Sequence, residues 1–291
     1  MNQLLLTLRF YATGSHLISA GDFSGVSKTS AHRIVHRVTI AIARLRPNYV
    51  KFPVIADAIK RKQIKFFNFA RFPKVLGALD CTHIKIQSLG GNEAEIFRNR
   101  KGYFSMNVQA VCNKDLEFID IVARWPGSAH DSTIFNNSRI RALFEAGTFG
   151  DRLLIGDSGY LLRSYIMTPL LNPRTRNEQL YNESLIRTRN TIERTFGVWK
   201  RRFPILALGT RFQKMDSIMA MIVATAVLHN ICRKSGEPLP PDDPQVQLPV
   251  PWEQILEEGR MPEVHNGPNI RLQGNQVQQS LINGYFRMLL Q

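Results

Sequence analysis

The stretch VLGALDCTHIKI, residues 75–86, places an aspartate inside a segment that is otherwise typical of a β-strand. Asp is depleted in strands, and an unpaired buried carboxylate is energetically costly, so Asp80 needs a cation. A salt bridge, for instance to Lys85 or Lys101, is one solution. A bound metal ion is another, and we favour it because a metal is an efficient counter-charge for an acid in a central strand.

The elements after this strand predict an α/β domain. Residues 103–113 and 117–127 are strand-like and are joined by a hairpin turn at Asn113-Lys114-Asp115. The predicted elements that follow are a helix over 130–147, a strand over 151–160, a candidate fifth strand over 166–172, a polar loop over 172–179, and helices over 182–202 and 214–234. This order fits a mixed sheet whose first three strands form a meander and which then alternates with helices.

Two further aspartates have both a structural and a functional interpretation. Asp131 begins the helix over 130–147, where Asp is also a good N-cap. Asp157 ends the fourth strand in IGDSGY, where Asp before Ser-Gly also suits a turn. Ligands bind at the carboxyl ends of strands in open α/β sheets, so both positions are also candidates for a site.

Glu193 is a single carboxylate in the basic stretch TRNTIERTFGVWKRRFPIL, residues 188–206. It borders a helical apolar stripe that includes Ile192 and Phe196, so it can point towards the sheet. An ordinary i,i+4 pair with Arg189 is the alternative. A metal-holding role for Glu193 would require it to meet Asp80 and Asp157.

The net charge favours a polyanionic partner. The chain has 291 residues and a formal net charge of +15. After residue 234 there are three basic and seven acidic residues, a net −4, so residues 1–234 carry +19. A soluble basic protein without such a partner is the alternative, but an excess of this size is typical of proteins that bind nucleic acid.

Basic residues that would bind DNA fall in three segments of the chain. One is a helix-turn-helix-like region over 1–46, whose second helix would expose its first residues. Two amphipathic helices packed on a neighbouring domain would give the same pattern. Another is the loop 97–105, which is equally consistent with a solvated loop. The third is the basic helix predicted over 182–202. The candidate DNA-binding residues are Lys28, Thr29, Arg33, Arg98, Arg100, Lys101, Arg187, Arg194, Lys200 and Arg201.

The cysteines and apolar segments exclude several other classes. Cys81, Cys112 and Cys232 are isolated, which argues against a zinc site or a disulfide scaffold. The apolar run 218–228 is too short for a membrane span and predicts a buried helix. The predicted organisation is therefore the helical region 1–46, a connector over 47–74, an α/β domain over 75–234, and a flexible Pro- and Gln-rich tail over 235–291.

In combination, the motifs LGALDCTHIKI, HDSTIF, IGDSGY and NTIERTFGVWKRRFPIL resemble the DDE endonuclease domain of PIF/Harbinger transposases and of nucleases derived from them. The resemblance covers about residues 4–235. It implies a ribonuclease H-like fold with Asp80, Asp157 and Glu193 as catalytic residues. It also implies that Asp80, Asp131, Asp157 and Glu193 hold a divalent cation, Mg²⁺ or Mn²⁺.

The resemblance further implies DNA as the substrate and a separate Myb-like DNA-binding partner. The expected location is the nucleus, with the cytoplasm as a second location. A homo-oligomer is also considered, and a membrane role is not expected. Two departures stand against the family pattern: the chain begins almost directly in the helix-turn-helix region, and the tail after Ser235 carries no family motif. Two functions remain open, a metal-dependent DNA endonuclease and a catalytically silent DNA-binding scaffold that retains the transposase fold.

Overall fold

A five-stranded mixed sheet forms the centre of the computed structural model, which describes residues 2–91, 94–240 and 268–290. The strands are β1 (Val75–Lys85), β2 (Ser105–Cys112), β3 (Phe118–Pro126), β4 (Leu153–Ile155) and β5 (Ile166–Met167). Their spatial order is β3-β2-β1-β4-β5. The meander β1-β2-β3 is antiparallel, whereas β4 and β5 run parallel to β1, which confirms the predicted mixed sheet.

Helices cover both faces of this sheet. They are α1 (Asn2–Thr13), α2 (Leu17–Phe23), α3 (Lys28–Ala43), α4 (Arg46–Tyr49), α5 (Ala56–Ala70), α6 (Asp131–Asn136), α7 (Arg139–Glu145), α8 (Arg176–Arg202), α9 (Ile205–Leu208), α10 (Met215–Lys234) and α11 (Pro268–Ser280). A 3₁₀ turn over Ala94–Phe97 and a π-helix over Leu281–Phe286 complete the described elements.

The central strand β1 is buried on both faces because its side chains enter two different hydrophobic clusters. Ala78 and Ile84 pack with Trp199 of α8, while Leu79 packs with Phe135 of α6 on the opposite face. Gly77 makes this packing possible, since a Cβ there would lie 2.5 Å from Val111 Cγ1. The β1–β4 register also shifts between Val75 and Gly77.

Two predicted helices have different limits in the structure. The helix over 130–147 is interrupted, because the Ser138 side chain caps the N-terminus of α7 and separates it from α6. Helix α8 begins at Arg176 rather than near 182, because Thr175 and Glu178 form a capping box. The polar segment 172–179 therefore contains the first turn of α8.

The N-terminal helices α2 and α3 lie where the sequence predicts them, with Gly25 in the turn and Ser27 capping α3. Helix α3 packs on α1, α2 and α10 through buried residues such as Val35. Its first two turns keep an exposed face, which includes Lys28, Thr29 and Arg33. This arrangement fits both a DNA-reading helix and a helix that simply packs on its neighbours, so the helix-turn-helix interpretation stays a prediction.

Helix α10 is long and apolar enough to cross a membrane by length and composition alone. In this structure it packs on α3 and β3. Asn230 lies buried, donates to the Tyr49 and Phe118 carbonyls and accepts from the Phe118 amide. The apolar run 218–228 accordingly belongs to a helix of the hydrophobic core, as predicted.

The C-terminal segment differs in part from the flexible tail predicted over 235–291. Residues 268–286 are helical, and Phe286 is buried against Phe72 and Tyr181. Gln278 donates hydrogen bonds to the Thr168 carbonyl and the Tyr181 hydroxyl. These contacts between distant parts of the chain order the segment, whereas the predicted flexible stretch over 241–267 lies outside the described residues.

Candidate active site

The parallel pairing of β1 with β4 brings Asp80 and Asp157 next to each other. Ala78 of β1 pairs with Ile155 of β4. Each aspartate follows its member of this pair by two residues. Because parallel strands advance together, the two carboxylates come to the same level of the sheet. The sequence prediction that these two acids would meet therefore has a simple topological basis.

Electrostatic interactions show that the acids lie within reach of one another. Burial raises the pKa of Asp80 well above its ordinary value, and the negative charges of Asp157 and Asp131 raise it further. Burial and the charge of Asp131 likewise raise the pKa of Asp157. The pKa of Glu193 is raised by burial and by the charge of Asp157. The four predicted residues thus form one acidic group, which is called the acidic group below.

Asp131 enters this group from the first turn of α6. His130, not Asp131, occupies the N-cap position, so the capping alternative is not what the structure has. The Asp131 Oδ1 atom accepts a hydrogen bond of 2.9 Å from Asn107 Nδ2 of β2. That contact fixes one oxygen of the carboxylate to the sheet. The Asn107 side chain was not singled out by the sequence analysis.

Glu193 belongs to α8 and forms an ion pair with Arg189, which lies one helical turn earlier on the same helix. Their ion pair measures 2.5 Å, and the side chains are only 12% and 13% exposed for Arg189 and Glu193. The other Glu193 oxygen, Oε2, is buried and has no hydrogen-bond partner among the described residues. A buried carboxylate oxygen without a partner is rare in native proteins and fits a position that a ligand would complete.

The spacing to Glu193 predicts that Arg189 is an ordinary helical partner, but the structure gives Arg189 a wider role. Its positive charge lowers the pKa of Asp80, Asp157 and Glu193, each time against the larger effect of burial. It therefore serves three acids from different elements. Its spacing to Glu193 was the only signal in the sequence, and that spacing is common on helix surfaces.

The oxygen atoms of the acidic group suit a hard divalent cation, although the four side chains are not arranged here as the ligands of one ion. Mg²⁺ and Mn²⁺ prefer oxygen ligands, and clustered carboxylates supply them. Glu193 Oε2 is an unpartnered oxygen of that kind. Within the described ranges, however, no three His, Cys, Asp or Glu side chains already form a group able to hold a metal ion. Arg189 supplies positive charge to the acids instead.

Basic groups lie on one side of the acidic group, near the end of β1. His83 is partly buried, and burial lowers its pKa, while Asp131 opposes this effect and Lys101 and Arg100 add to it. The Arg100 guanidinium donates a 2.8 Å hydrogen bond to His130 Nδ1, next to Asp131. The structure thus brings Arg100 and Lys101 of the predicted basic loop close to the acids.

Lys200 requires a correction. The prediction placed it where it would contact DNA, but the residue is only 8% exposed. Its ammonium donates to the Thr82 hydroxyl at 2.7 Å and the His83 carbonyl at 3.0 Å. Burial and the charge of Lys101 lower the pKa of Lys200 to about 8. Its ammonium group is therefore bonded to β1, and it ties α8 to the strand that carries Asp80.

The remaining basic candidates are distributed unevenly. Arg194 and Arg201 line a cleft that Glu193 also borders. Arg98 pairs with Glu95, and Arg187 pairs with Glu183, in exposed positions where both arginines keep part of their surface free for other contacts. Lys28, Thr29 and Arg33 belong to α3, which packs on other helices rather than on the sheet.

Tyr160 is a further residue that the sequence analysis did not single out. It follows the Asp157 turn and is buried, and its hydroxyl lies 3.3 Å from Sγ of Cys81, the residue after Asp80. Burial raises the pKa of Tyr160 well above its ordinary value, and nearby Cys81 and Asp131 add to the effect. The tyrosine therefore stays uncharged within electrostatic reach of the carboxylates.

Comparisons with known proteins support the sequence resemblance. Residues 79–230 match the family model described as DDE superfamily endonuclease. The human protein named "Putative nuclease HARBI1" is 32% identical over 286 residues, which are 98% of this chain and 79% of that protein. The "Protein ALP1-like" of Arabidopsis thaliana is 25% identical over 250 residues, covering 79% of this chain and 60% of that protein. No solved structure matches the chain significantly.

Proposed function

The chain belongs to the DDE superfamily endonuclease family, and from this premise we propose that it is a divalent-metal-dependent endonuclease that cleaves DNA phosphodiesters. The observation that carries the proposal is the acidic group: Asp80 on β1 lies at the level of Asp157, which follows the parallel strand β4 by two residues, and Asp131 and Glu193 lie within electrostatic reach of them. Acids at these positions are what the family resemblance requires.

The four acids would be the ligands of Mg²⁺ or Mn²⁺. When bound, such ions activate water, or a DNA 3′-hydroxyl, and stabilise the leaving oxygen of a phosphodiester. Burial and mutual repulsion raise the pKa of Asp80 and Asp157, so a cation at this position would favour their ionised forms. The protein itself holds Asp131 through Asn107 and Glu193 through Arg189.

The basic groups beside the acids suit a phosphate backbone. Arg100 and Lys101 lie near His83 and Asp131 on one side, and Arg194 and Arg201 line the cleft that Glu193 borders. Lys and Arg contacts of this kind supply sequence-independent affinity for DNA. A nuclear location and a Myb-like partner that selects the DNA sequence belong to the same proposal.

Incubation of the purified chain with supercoiled plasmid and Mn²⁺ tests this function. We expect nicked product from the wild type and a loss of at least about a hundredfold in rate for Asp157→Asn and Glu193→Gln, in line with removal of an essential catalytic group. Glu183→Gln is the matched control, because Glu183 lies exposed on the same helix and pairs with Arg187. Its nicking rate should equal that of the wild type.

A binding measurement separates loss of metal from loss of chemistry. Mn²⁺ at about one hundred times its dissociation constant should stabilise the folded wild type by about 2.7 kcal/mol, seen as a higher melting temperature. Asp157→Asn and Glu193→Gln should largely remove this increase. Intact metal binding without nicking, with or without a Myb-like partner, would instead support the catalytically silent scaffold.

A further inference from the structure

A cleft with a volume of about 350 Å³ lies between the end of α5, the β2–β3 hairpin and α8. Its walls include Phe69, Lys114, Leu116, Thr191, Arg194 and Arg201. Glu193 also borders it, so the cleft adjoins the acidic group. Its volume falls in the range of sites that take small ligands.

Positive charge dominates the walls of this cleft. Lys114 from the hairpin and Arg194 from α8 act on each other: burial lowers the pKa of Lys114, and the positive charge of Arg194 lowers it further, against the opposing charge of Asp115. Among the described residues that line the cleft, the one acid is Glu193, which is already paired with Arg189. An anion between the two cations would relieve their repulsion.

Thr191 contributes an unsatisfied polar group at this cleft. It is only 3% exposed, and its hydroxyl has no hydrogen-bond partner among the described residues. Thr188 and Thr195 on the same helix donate their hydroxyls to the carbonyls four residues earlier, at 2.8 and 2.7 Å. The Thr191 hydroxyl departs from this pattern at the point where α8 meets the cleft.

The opposite wall is aromatic and apolar. Phe69 is 47% exposed although it is a large aromatic residue at the end of α5. The Lys114 ammonium lies 3.7 Å from the centre of its ring, and Leu116 continues the apolar wall. Aromatic rings beside cations are how proteins bind single-stranded nucleic acid, with bases stacked on rings and phosphates on the cations.

We propose that this cleft binds one nucleotide of a single-stranded DNA segment, with its phosphate towards Lys114, Arg194 and Arg201 and its base against Phe69 and Leu116. The inference rests on the proposed function for the identity of the substrate, since the cleft shares Glu193 with the acidic group. It adds that the protein holds an unpaired nucleotide next to the phosphodiester at the acids.

Fluorescence anisotropy with a labelled twelve-nucleotide oligothymidine and a duplex of equal length tests this site. EDTA is present, so that no metal ion contributes. We expect Arg194→Gln and Lys114→Gln each to weaken single-strand binding about tenfold and to reduce the slope of log affinity against log salt by about 0.7. Phe69→Ala should weaken single-strand binding about tenfold while changing duplex binding less than about twofold.

Two matched controls remove a positive charge away from the cleft, one on the helix that carries Arg194 and one on the helix that carries Phe69. They are Arg176→Gln, at the start of α8, and Lys60→Gln, at an exposed position of α5. Both should bind the oligonucleotide within about twofold of the wild type, since neither touches the cleft. Melting temperatures of all variants establish that each is folded before binding is compared.

Several outcomes would overturn the proposal. Cleft variants that bind the single strand as tightly as their controls would show that the cleft takes no nucleotide, and an equal effect of Phe69→Ala on both DNA forms would exclude stacking. Displacement of the oligonucleotide by equimolar thymidine monophosphate would identify a free nucleotide as the ligand. Plasmid nicking is measured separately from binding. If the wild type nicks while the cleft variants bind normally, only the nucleotide-binding role of the cleft is refuted. If the wild type binds through the cleft but never nicks, only the nuclease function is refuted.

Discussion

The Arg189 guanidinium and the Glu193 carboxylate form a 2.5 Å ion pair in which both side chains are nearly buried. The same guanidinium lowers the pKa of Asp80 and of Asp157. One arginine on α8 therefore supplies positive charge to acids from three elements. A metal ion bound among these acids would compete with it for Glu193.

Replacing Arg189 by Gln should therefore destabilise the metal-free protein strongly. Removing one partner of a buried ion pair leaves an uncompensated charge, and typical costs are about 3–5 kcal/mol. We expect urea unfolding at pH 7 with EDTA to show a loss near the lower end of this range, because the pair is not fully buried. Saturating Mn²⁺ should recover part of the loss, because the ion restores positive charge among the acids.

Arg187→Gln is the matched control for this variant. Arg187 pairs with Glu183 on the same helix and with the same spacing, but both side chains are more than half exposed. Such pairs contribute about 0.3–0.5 kcal/mol. If Arg189→Gln costs no more than Arg187→Gln, Arg189 is an ordinary surface partner, as its spacing alone suggested.

The sequence predicted that the acids would approach one another better than it predicted their surroundings. Asp80, Asp157 and Glu193 stand out because acids are unexpected in a strand, at a strand end and beside an apolar helical stripe. The role of Arg189 depends on β4 lying next to β1, which spacing along α8 does not reveal. The prediction for Lys200 was wrong for the same reason. A charged residue in a basic helix is normally solvated, whereas here the Thr82 hydroxyl of β1 accepts a hydrogen bond from the Lys200 ammonium.

Some differences between the predicted and the observed elements had a signal in the sequence, and others had none. The capping box at Thr175 and Glu178 is present in the sequence TRNE and marks the true start of α8. The docking of the C-terminal helices depends on Phe286 meeting Phe72. These residues are far apart in the chain, and no local pattern connects them.

Asp157→Asn should stabilise the metal-free protein at neutral pH. Burial and the charge of Asp131 raise the pKa of Asp157, so its ionised form is unfavourable in the folded state. Asn removes that charge and keeps an oxygen for the Gly159 amide, which donates a 3.0 Å hydrogen bond to Asp157 Oδ1. The expected gain in the free energy of unfolding is about 1 kcal/mol, the usual size when a strained functional group is removed.

The pH dependence of this gain has a defined sign. Because the folded pKa lies above the unfolded value, folded wild type takes up a proton first as the pH falls, and its stability increases relative to the variant. The gain from Asp157→Asn should therefore shrink between neutral pH and about pH 4. In the control Asp151→Asn the opposite sign is expected, since Lys74 lowers the pKa of Asp151. A gain that does not change with pH would rule out ionisation as its cause.

Lys200→Met should remove a rise in stability at alkaline pH. Burial lowers the folded pKa of Lys200 to about 8, whereas an unfolded lysine titrates near its ordinary value of 10.5. Between these two values the unfolded chain carries one more proton than the folded protein, so the free energy of unfolding of the wild type increases with pH by up to about 1.4 kcal/mol per pH unit. Met matches the length of the lysine stem and has no ammonium to titrate.

Urea unfolding at pH 7.5, 8.5 and 9.5 would measure the difference between the two proteins, with the exposed Lys60→Met as the control that should follow the wild type. Parallel curves for wild type and Lys200→Met would mean that the Lys200 ammonium reaches solvent, in which case its bonds to Thr82 and His83 do not hold α8 to β1.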